Sequence, residues 1–338
     1  MSHANSTIKR RPRAAHFGGE NAAAFALLAL LVVAPFVAGD YIAYILPQYM
    51  LYGLLAVSLV MLWGVVGIVS FGQAAFFAIG AYAMGLCMGQ SDLGFNSGYA
   101  GLASGALAGG LLAGVTGWFL FSAGVKATYF VLITLALSII TEQVAVSQSQ
   151  LTGGFNGMFV NRMALSPFEG GAIAGDIALY FFVLGVVAVV YALLRWLMAS
   201  SFGTVLAGVR ENEDRLTALG YRIDQYKTLA FALSGAIAGL AGALYATTAS
   251  FVSPSLAGVL FSTQVVVWVA IGGRSSLLGG LVGAMVVATA SNYLSATMPQ
   301  YWQLILGVAF MLVIIFFKDG FAGMFARLGQ RLRPREVS

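Results

Sequence analysis

Charge is what this sequence most conspicuously lacks. Asp, Glu, Lys and Arg together make up 9% of its 338 residues, and the stretches 41–91, 93–125, 228–273 and 275–317 contain none. Cysteine is almost absent as well. The single Cys87 excludes an intrachain disulfide and any cysteine-based metal site, and as a small residue in an apolar run it is read as packing. The two histidines, His3 and His16, both fall in the opening tail and cannot build a core site. No G-x-x-x-x-G-K-[ST] phosphate loop occurs; "IGGRSSLLGG" (271–280) has glycines but neither the spacing nor the lysine. H-E-x-x-H and G-x-S-x-G elements are missing too. These absences leave an intramembrane enzyme without a nucleophile, metal or base constellation, and they put any ATP chemistry on another subunit.

What is present is apolar. Hydrophobic residues are 60% of the chain and the mean hydropathy is +0.89. A bilayer crossing takes roughly 20 helical residues, so the charge-free run 228–273 must hold two crossings, divided at "SPS" around Pro254. The expected fold is all-α: a polytopic helical membrane protein of about ten spans, near 22–38, 44–66, 73–90, 98–122, 127–148, 177–197, 228–250, 256–272, 276–297 and 301–317. Eight or nine crossings remain open if a segment is re-entrant. Residues 1–21 read as a polar amino-terminal tail, 22–318 as one transmembrane domain, and 319–338 as a basic tail. Lys and Arg favour the cytoplasmic side. Arg10, Arg11 and Arg13 at one end, and Arg327, Arg331, Arg333 and Arg335 at the other, place both termini inside. The net charge of +5 comes from these tails, so it sets orientation and does not announce a nucleic acid partner.

Against that background one internal segment stands apart. Eight charged residues fall between Arg210 and Lys227, inside the predicted cytoplasmic loop 199–227. Apolar Val209, Leu216 and Leu219 alternate with Arg210, Glu211, Glu213, Asp214 and Arg215 in a helical pattern over 209–220 that Gly220 is expected to stop. Glu211 and Arg215, four apart, are spaced to pair on one helical face. By charge pattern alone the segment is either a docking element for a soluble partner or a solvated loop helix.

The stretch "GVRENEDRLTALGYRIDQYKTLAFALSGAIAGLAGALYA" (208–246) closely resembles the cytoplasmic loop and following helix of branched-chain amino-acid ABC importer permeases, of the LivM-like type. "WGVVGIVSFGQAAFFAIGAYAMG" (63–85), "TYFVLITLALSIITEQ" (128–143) and "LTGGFNGM" (151–158) support the match. The resemblance implies a permease subunit with no cofactor of its own, in a bacterial inner membrane. It further implies a second, different permease, two cytoplasmic ATP-binding subunits and a periplasmic solute-binding protein. On it, Arg210, Glu211, Asn212, Arg215, Ala218, Leu219 and Gly220 form the ATPase-coupling loop. Gln73 stands where many members have His, and Phe155 where a smaller residue is common. Urea and short-chain amide permeases share much of the pattern and remain an alternative. A secondary transporter would need buried ionisable groups to bind coupling ions, and Glu142 is the one carboxylate near a span.

Pathway candidates are few. Glu142 is a functional-site hypothesis because carboxylates are costly in a bilayer, although its place near the outer end of span five equally suits a hydrated, interfacial role. Gln73 either faces a pore or makes a helix-end hydrogen bond. Thr152, Gly153, Gly154 and Asn156 belong to a tight outer turn, read as a gate or as a plain turn. Glycines four apart, as in Gly101/Gly105/Gly109, Gly235/Gly239 and Gly279/Gly283, mark helix faces that approach closely, for sliding or for static packing.

Overall fold

The computed structural model describes residues 14–89, 96–166 and 173–316. Thirteen α-helices run through them: α1 Ala14–Ala38, α2 Asp40–Val60, α3 Gln73–Met88, α4 Ser97–Ser122, α5 Ala127–Ser147, α6 Ser149–Thr152, α7 Asp176–Ala199, α8 Ser201–Glu211, α9 Glu213–Ala218, α10 Ile223–Ala249, α11 Val259–Gly272, α12 Leu277–Thr297 and α13 Trp302–Phe316. Each of the ten expected segments carries a helix. Among the described residues, six helices are long and apolar enough to cross a membrane, beginning with α2 and its continuation, Asp40–Val66. Shorter apolar helices cover Ala22–Val37, Gln73–Met88 and Val259–Gly272. The chain is an all-α, multi-pass membrane protein. Helix α1 already begins at Ala14, inside the segment read as a tail; the basic tail 319–338 lies outside the described residues.

Helix α2 is the axis of the fold. Its best membrane window is 83% buried inside the protein, against 22% for α5, which presents most of its surface outward. The long central helix α10 is clamped by α4 on one side and α3 on the other, through glycine. A methyl group at Gly109 would lie 2.5 Å from the Gly235 carbonyl oxygen, and one at Gly235 would lie 2.6 Å from that of Gly109. At Gly80 and Gly242 added methyls would overlap the backbone carbonyls of Gly239 and Phe77. Lipid offers helices no hydrophobic reason to associate, so contact at backbone distance supplies the attraction. The small-residue faces read from the sequence are therefore closely packed in this structure.

Aromatic rings fill the space that the glycines leave. Tyr52 of α2 lies 5.4 Å from Tyr245 in a stacked pair and 5.1 Å from Trp268, and Phe77 and Phe261 close the cluster. Phe76, Phe77 and Trp268 are thus core residues.

The loops gather at two ends. At one end the α2 terminus meets the α11–α12 turn: Gly64 abuts the Arg274 carbonyl, and the Arg274 guanidinium stands 5.9 Å over the Trp63 ring. At the other, a two-stranded antiparallel sheet pairs β1 (Met158–Phe159) with β2 (Phe251–Val252), Met158 opposite Val252. The Asn96 amide donates there to the carbonyls of Ala164 and Ser166 at 2.6 and 2.5 Å, tying the long 148–175 connection to the start of α4.

Candidate coupling segment and polar seam

The charged segment folds as two helices, not one. Asn212 adopts an extended conformation (φ −163°, ψ 103°) that breaks the expected helix 209–220. Its side-chain oxygen accepts from the Arg215 N–H at 2.9 Å, capping α9. The signal was in the sequence: Asn followed by Glu213 and Asp214 is an N-cap with acids in the first turn. The break also separates Glu211 from Arg215, so the four-residue spacing joins no common helical face. The ion pair of this region runs instead from Lys227 Nζ to Glu213 Oε1, at 2.5 Å.

Gly220 ends the second helix as expected, in the left-handed region at φ +86°. The Gly220 N–H donates to Thr217 O at 2.9 Å and the Tyr221 N–H to Leu216 O at 3.2 Å, the paired bonds of a Schellman stop. Nothing lies within 4 Å of where a side chain at Gly220 would begin. Glu211, Asn212, Arg215, Ala218, Leu219 and Gly220 are all exposed, and Leu219 presents an apolar side chain at 68% exposure.

Helix α8 carries this exposed tip on a buried base. Gly203, Leu206 and Val209 face inward, three residues apart. Arg210 reaches across to donate to the Gly64 carbonyl, and its side-chain carbons pack against Gly67. Gly64 belongs to a π-helical stretch, Met61–Val66, that continues α2. The Gly67 N–H closes it with a bond to Leu62 O at 2.9 Å, and Gly67 is left-handed at φ +87°. Arg210, named for a partner contact, is therefore also the internal link between the exposed loop and the end of α2.

Beyond Gly67 the chain is irregular until Gln73. An unpaired backbone polar group away from water is expensive, and side chains supply partners here. The Phe71 N–H donates to Thr134 Oγ1 at 3.2 Å, and Ser138 Oγ donates to Phe71 O at 2.8 Å. Ser262 Oγ on α11 donates to Ser138 Oγ at 3.1 Å. Gln73 itself is 1% exposed. Its amide oxygen accepts from Ser58 on α2 and its amide nitrogen donates to Ser234 on α10, both at 3.0 Å, while Ser234 Oγ donates to Ser58 O at 2.7 Å. One glutamine thus joins three helices. Replacing it with leucine removes both bonds, at about 0.5–1.5 kcal/mol each, while Ser58 Oγ keeps the Leu55 carbonyl and Ser234 Oγ keeps that of Ser58, both at 2.7 Å. Gln73→Leu should lower the melting temperature of the detergent-purified chain measurably; an unchanged melt would mean the network carries no stability.

Helix α5 is inside-out. Thr134, Ser138 and Glu142 recur every fourth residue, with Thr134 and Ser138 fully buried, while Leu132, Ile139, Ile140 and Val144 point outward. Glu142 continues this polar seam toward Gly258, at the sheet end of the fold. A methyl group at Gly258 would lie 3.2 Å from both its carboxylate oxygens, and Gly258 opens α11. Negative charge is favourable at a helix start, which gives Glu142 an electrostatic place at this end of the fold. Just beyond it, the Thr152 hydroxyl reaches the Ala145 and Gln148 carbonyls at 2.5 and 2.8 Å and accepts from the Gly154 N–H at 3.2 Å. Gly153, Gly154 and Gly157 all have positive φ, and Gly157 lies against the Val252 carbonyl. The turn leaves Asn156 exposed and holds Phe155 and Phe159 outward, 84% and 88% exposed.

The structure therefore separates the residues named from the sequence into three places. Arg210 to Gly220 lie at one end, Gln73 lies in the core, and Glu142 with 152–156 lies at the other end. Ser58, Ser234, Thr134, Ser138 and Ser262 were missed. The four-residue spacing of Thr134, Ser138 and Glu142 was the available signal.

Comparison with known proteins agrees with this architecture. The model of the family described as "Branched-chain amino acid transport system / permease component" matches residues 41–315. The high-affinity branched-chain amino acid transport system permease protein LivM of Salmonella typhimurium is 29% identical over 324 residues, covering 88% of this chain and 74% of that protein. A probable LivM permease of Methanocaldococcus jannaschii is 28% identical over 275 residues, 73% of this chain and 79% of its own. LivH of Escherichia coli, a permease of the same kind of system, is 19% identical over 274 residues, 78% and 88% of the two chains. No solved structure gives a significant match. The family match spans every helix from α2 to the last turn of α13, so this chain belongs to the permease components of branched-chain amino acid transport systems and is a transport subunit of an ABC importer, not an enzyme.

Proposed function

We propose that this chain carries branched-chain or other hydrophobic amino acids across a bacterial inner membrane, with ten crossings and both termini in the cytoplasm. A periplasmic binding protein delivers the solute to the sheet end, where the 152–157 turn and exposed Phe155 and Phe159 form the receiving surface. A second, LivH-like permease completes the pathway at the interface between the two. Two cytoplasmic subunits bind and hydrolyse ATP, and one docks on Asn212 to Gly220. The observation that carries this reading is the open Ala218–Gly220 tip, tied through Arg210 to the Gly64 end of α2. An apolar side chain needs no hydrogen bonds while crossing, which suits the long charge-free stretches 41–91, 93–125, 228–273 and 275–317.

Reconstitution with the companion subunits tests the reading. Binding protein loaded with leucine should stimulate ATP hydrolysis and leucine uptake, and stimulation by urea-loaded protein alone would overturn the substrate assignment. Orientation is checked separately in a Cys87→Ala background. Asn156→Cys should react with an impermeant thiol reagent from outside intact cells and Thr217→Cys should not; the reverse pattern would invert the topology.

A further inference from the structure

Helices α4 and α10 touch along most of their length and then part. They meet at Gly110 against Ala236 and at Gly114 against Ala232. Closer to the coupling segment they open into a cleft of about 350 Å³, lined by Trp118, Ser122, Arg222, Asp224, Gln225 and Thr228, with Leu229 and Ala232 behind. Its lining divides along the helices: Ala232, Leu229 and Trp118 are apolar, and Arg222 and Asp224, at the end nearer the coupling segment, are ionic. Trp118 and Leu229 are 64% and 51% exposed. Above them on α4, Leu107, Leu111 and Val115 continue an outward apolar stripe, each about two-thirds exposed. That stripe faces acyl chains in a bilayer, and tryptophan marks the level where chains give way to headgroups.

The ionic end carries one charge of each sign. Gln225, one helical turn on, lines the same cleft, and with its amide turned so that the oxygen faces Arg222 it accepts from the two terminal guanidinium nitrogens at 3.3 and 3.1 Å. Asp224 lies two residues on and is half-buried. The neighbouring cation is engaged away from Asp224: Lys227 pairs with Glu213 and lies 5.7 Å from the Phe121 ring centroid. A guanidinium is suited to phosphate. The carboxylate beside it, a poor neighbour for a purely anionic headgroup, suits an ammonium that can donate hydrogen bonds.

We propose that this cleft binds one phosphatidylethanolamine molecule, its phosphate on Arg222, its ammonium on Asp224, and an acyl chain along Trp118, Leu229 and the α4 stripe. A phosphatidylglycerol headgroup lacks the cation for Asp224. A choline headgroup has the charge but no N–H to donate. The site depends on the chain being in a membrane and not on which solute it carries.

Native mass spectrometry of the full-length chain, purified with its companion permease and delipidated, gives the test. Back-titration with phosphatidylethanolamine, phosphatidylglycerol and phosphatidylcholine should leave one ethanolamine lipid bound under activation that strips the other two. One charge-assisted hydrogen bond corresponds to about a tenfold preference. Asp224→Asn should erase the preference over choline, and Arg222→Gln should remove selective retention altogether. In the wild-type protein, phosphatidylethanolamine with brominated chains should quench fluorescence, and Trp118→Phe should remove that component. Equal retention of the three lipids, preference for the glycerol headgroup, selectivity that survives Asp224→Asn, or loss of the bound lipid when an ATP-binding subunit is added would each overturn the proposal. The quenching arm decides the matter should Arg222→Gln fail to fold.

Discussion

A single methyl group added at Gly242 should abolish accumulation of folded chain. Its carbon would overlap the Phe77 carbonyl oxygen and crowd the Phe77 carbon and the Ala81 nitrogen, all of them backbone of α3. Backbone cannot rotate out of the way as a side chain can. Nor can α3 retreat, because Phe77 is fully buried and packed on Tyr245 and Phe261, 5.3 and 5.5 Å away. Overpacking costs roughly 1–3 kcal/mol where a core can adjust, and here two helices would have to separate along their contact. The control is Gly185→Ala on α7, where nothing lies within 4 Å and alanine gains up to about 1 kcal/mol of helix propensity. Size-exclusion yield and melting temperature in detergent measure both. If Gly242→Ala matched Gly185→Ala, the clamp around α10 would not be what holds these helices together.

The second large effect belongs to Gly220. Any L-residue there meets the cost of a left-handed backbone, about 1 kcal/mol, and none meets a steric barrier within this chain. Gly220→Ala and Gly220→Trp should therefore melt together. On the proposed docking they should differ only when the ATP-binding subunit is present: alanine should retain most transport, whereas tryptophan should obstruct the subunit and lower transport at least about tenfold, the equivalent of some 1.4 kcal/mol of lost docking energy. Arg210→Ala supplies a contrasting defect. It leaves the exposed tip intact but removes the bond to Gly64, so the subunit should still bind while its hydrolysis no longer drives uptake. Equal transport by the alanine and tryptophan variants would remove the tip from the docking surface.

Much of this architecture was legible in the residues because a bilayer enforces simple rules. Charge-free runs of the right length became helices, and Pro254 opens the 3-10 turn that divides α10 from α11. Glycines four apart became contacts at backbone distance. Legibility failed where one residue outweighs a pattern. Asn212 caps a helix through its own side chain, and that local bond overrode the helical periodicity from Val209 to Leu219. Gln73 looked like a helix-end or pore residue, yet its two hydrogen-bond partners sit 15 and 161 positions away in the chain. Tertiary neighbours of that kind leave no trace in local spacing. The residues assigned to coupling by resemblance fall together in one exposed segment, but the inward reach of Arg210 required coordinates.

The π-wound stretch Met61–Val66 has a mechanical meaning. Bonds from i to i+5 enclose one more residue than the α-helical bonds on either side, so α2 carries a residue of slack between two anchors. Ser58 is fixed on one side by Gln73 and Ser234, and Gly64 is held on the other by Arg210. Rewinding that stretch to α geometry would shift everything after it by one position, roughly 100° about the axis, without disturbing Ser58. A pull on Gly64 is then absorbed as a swivel of the helix terminus, and the six residues behave as a torsional joint rather than a piston rod.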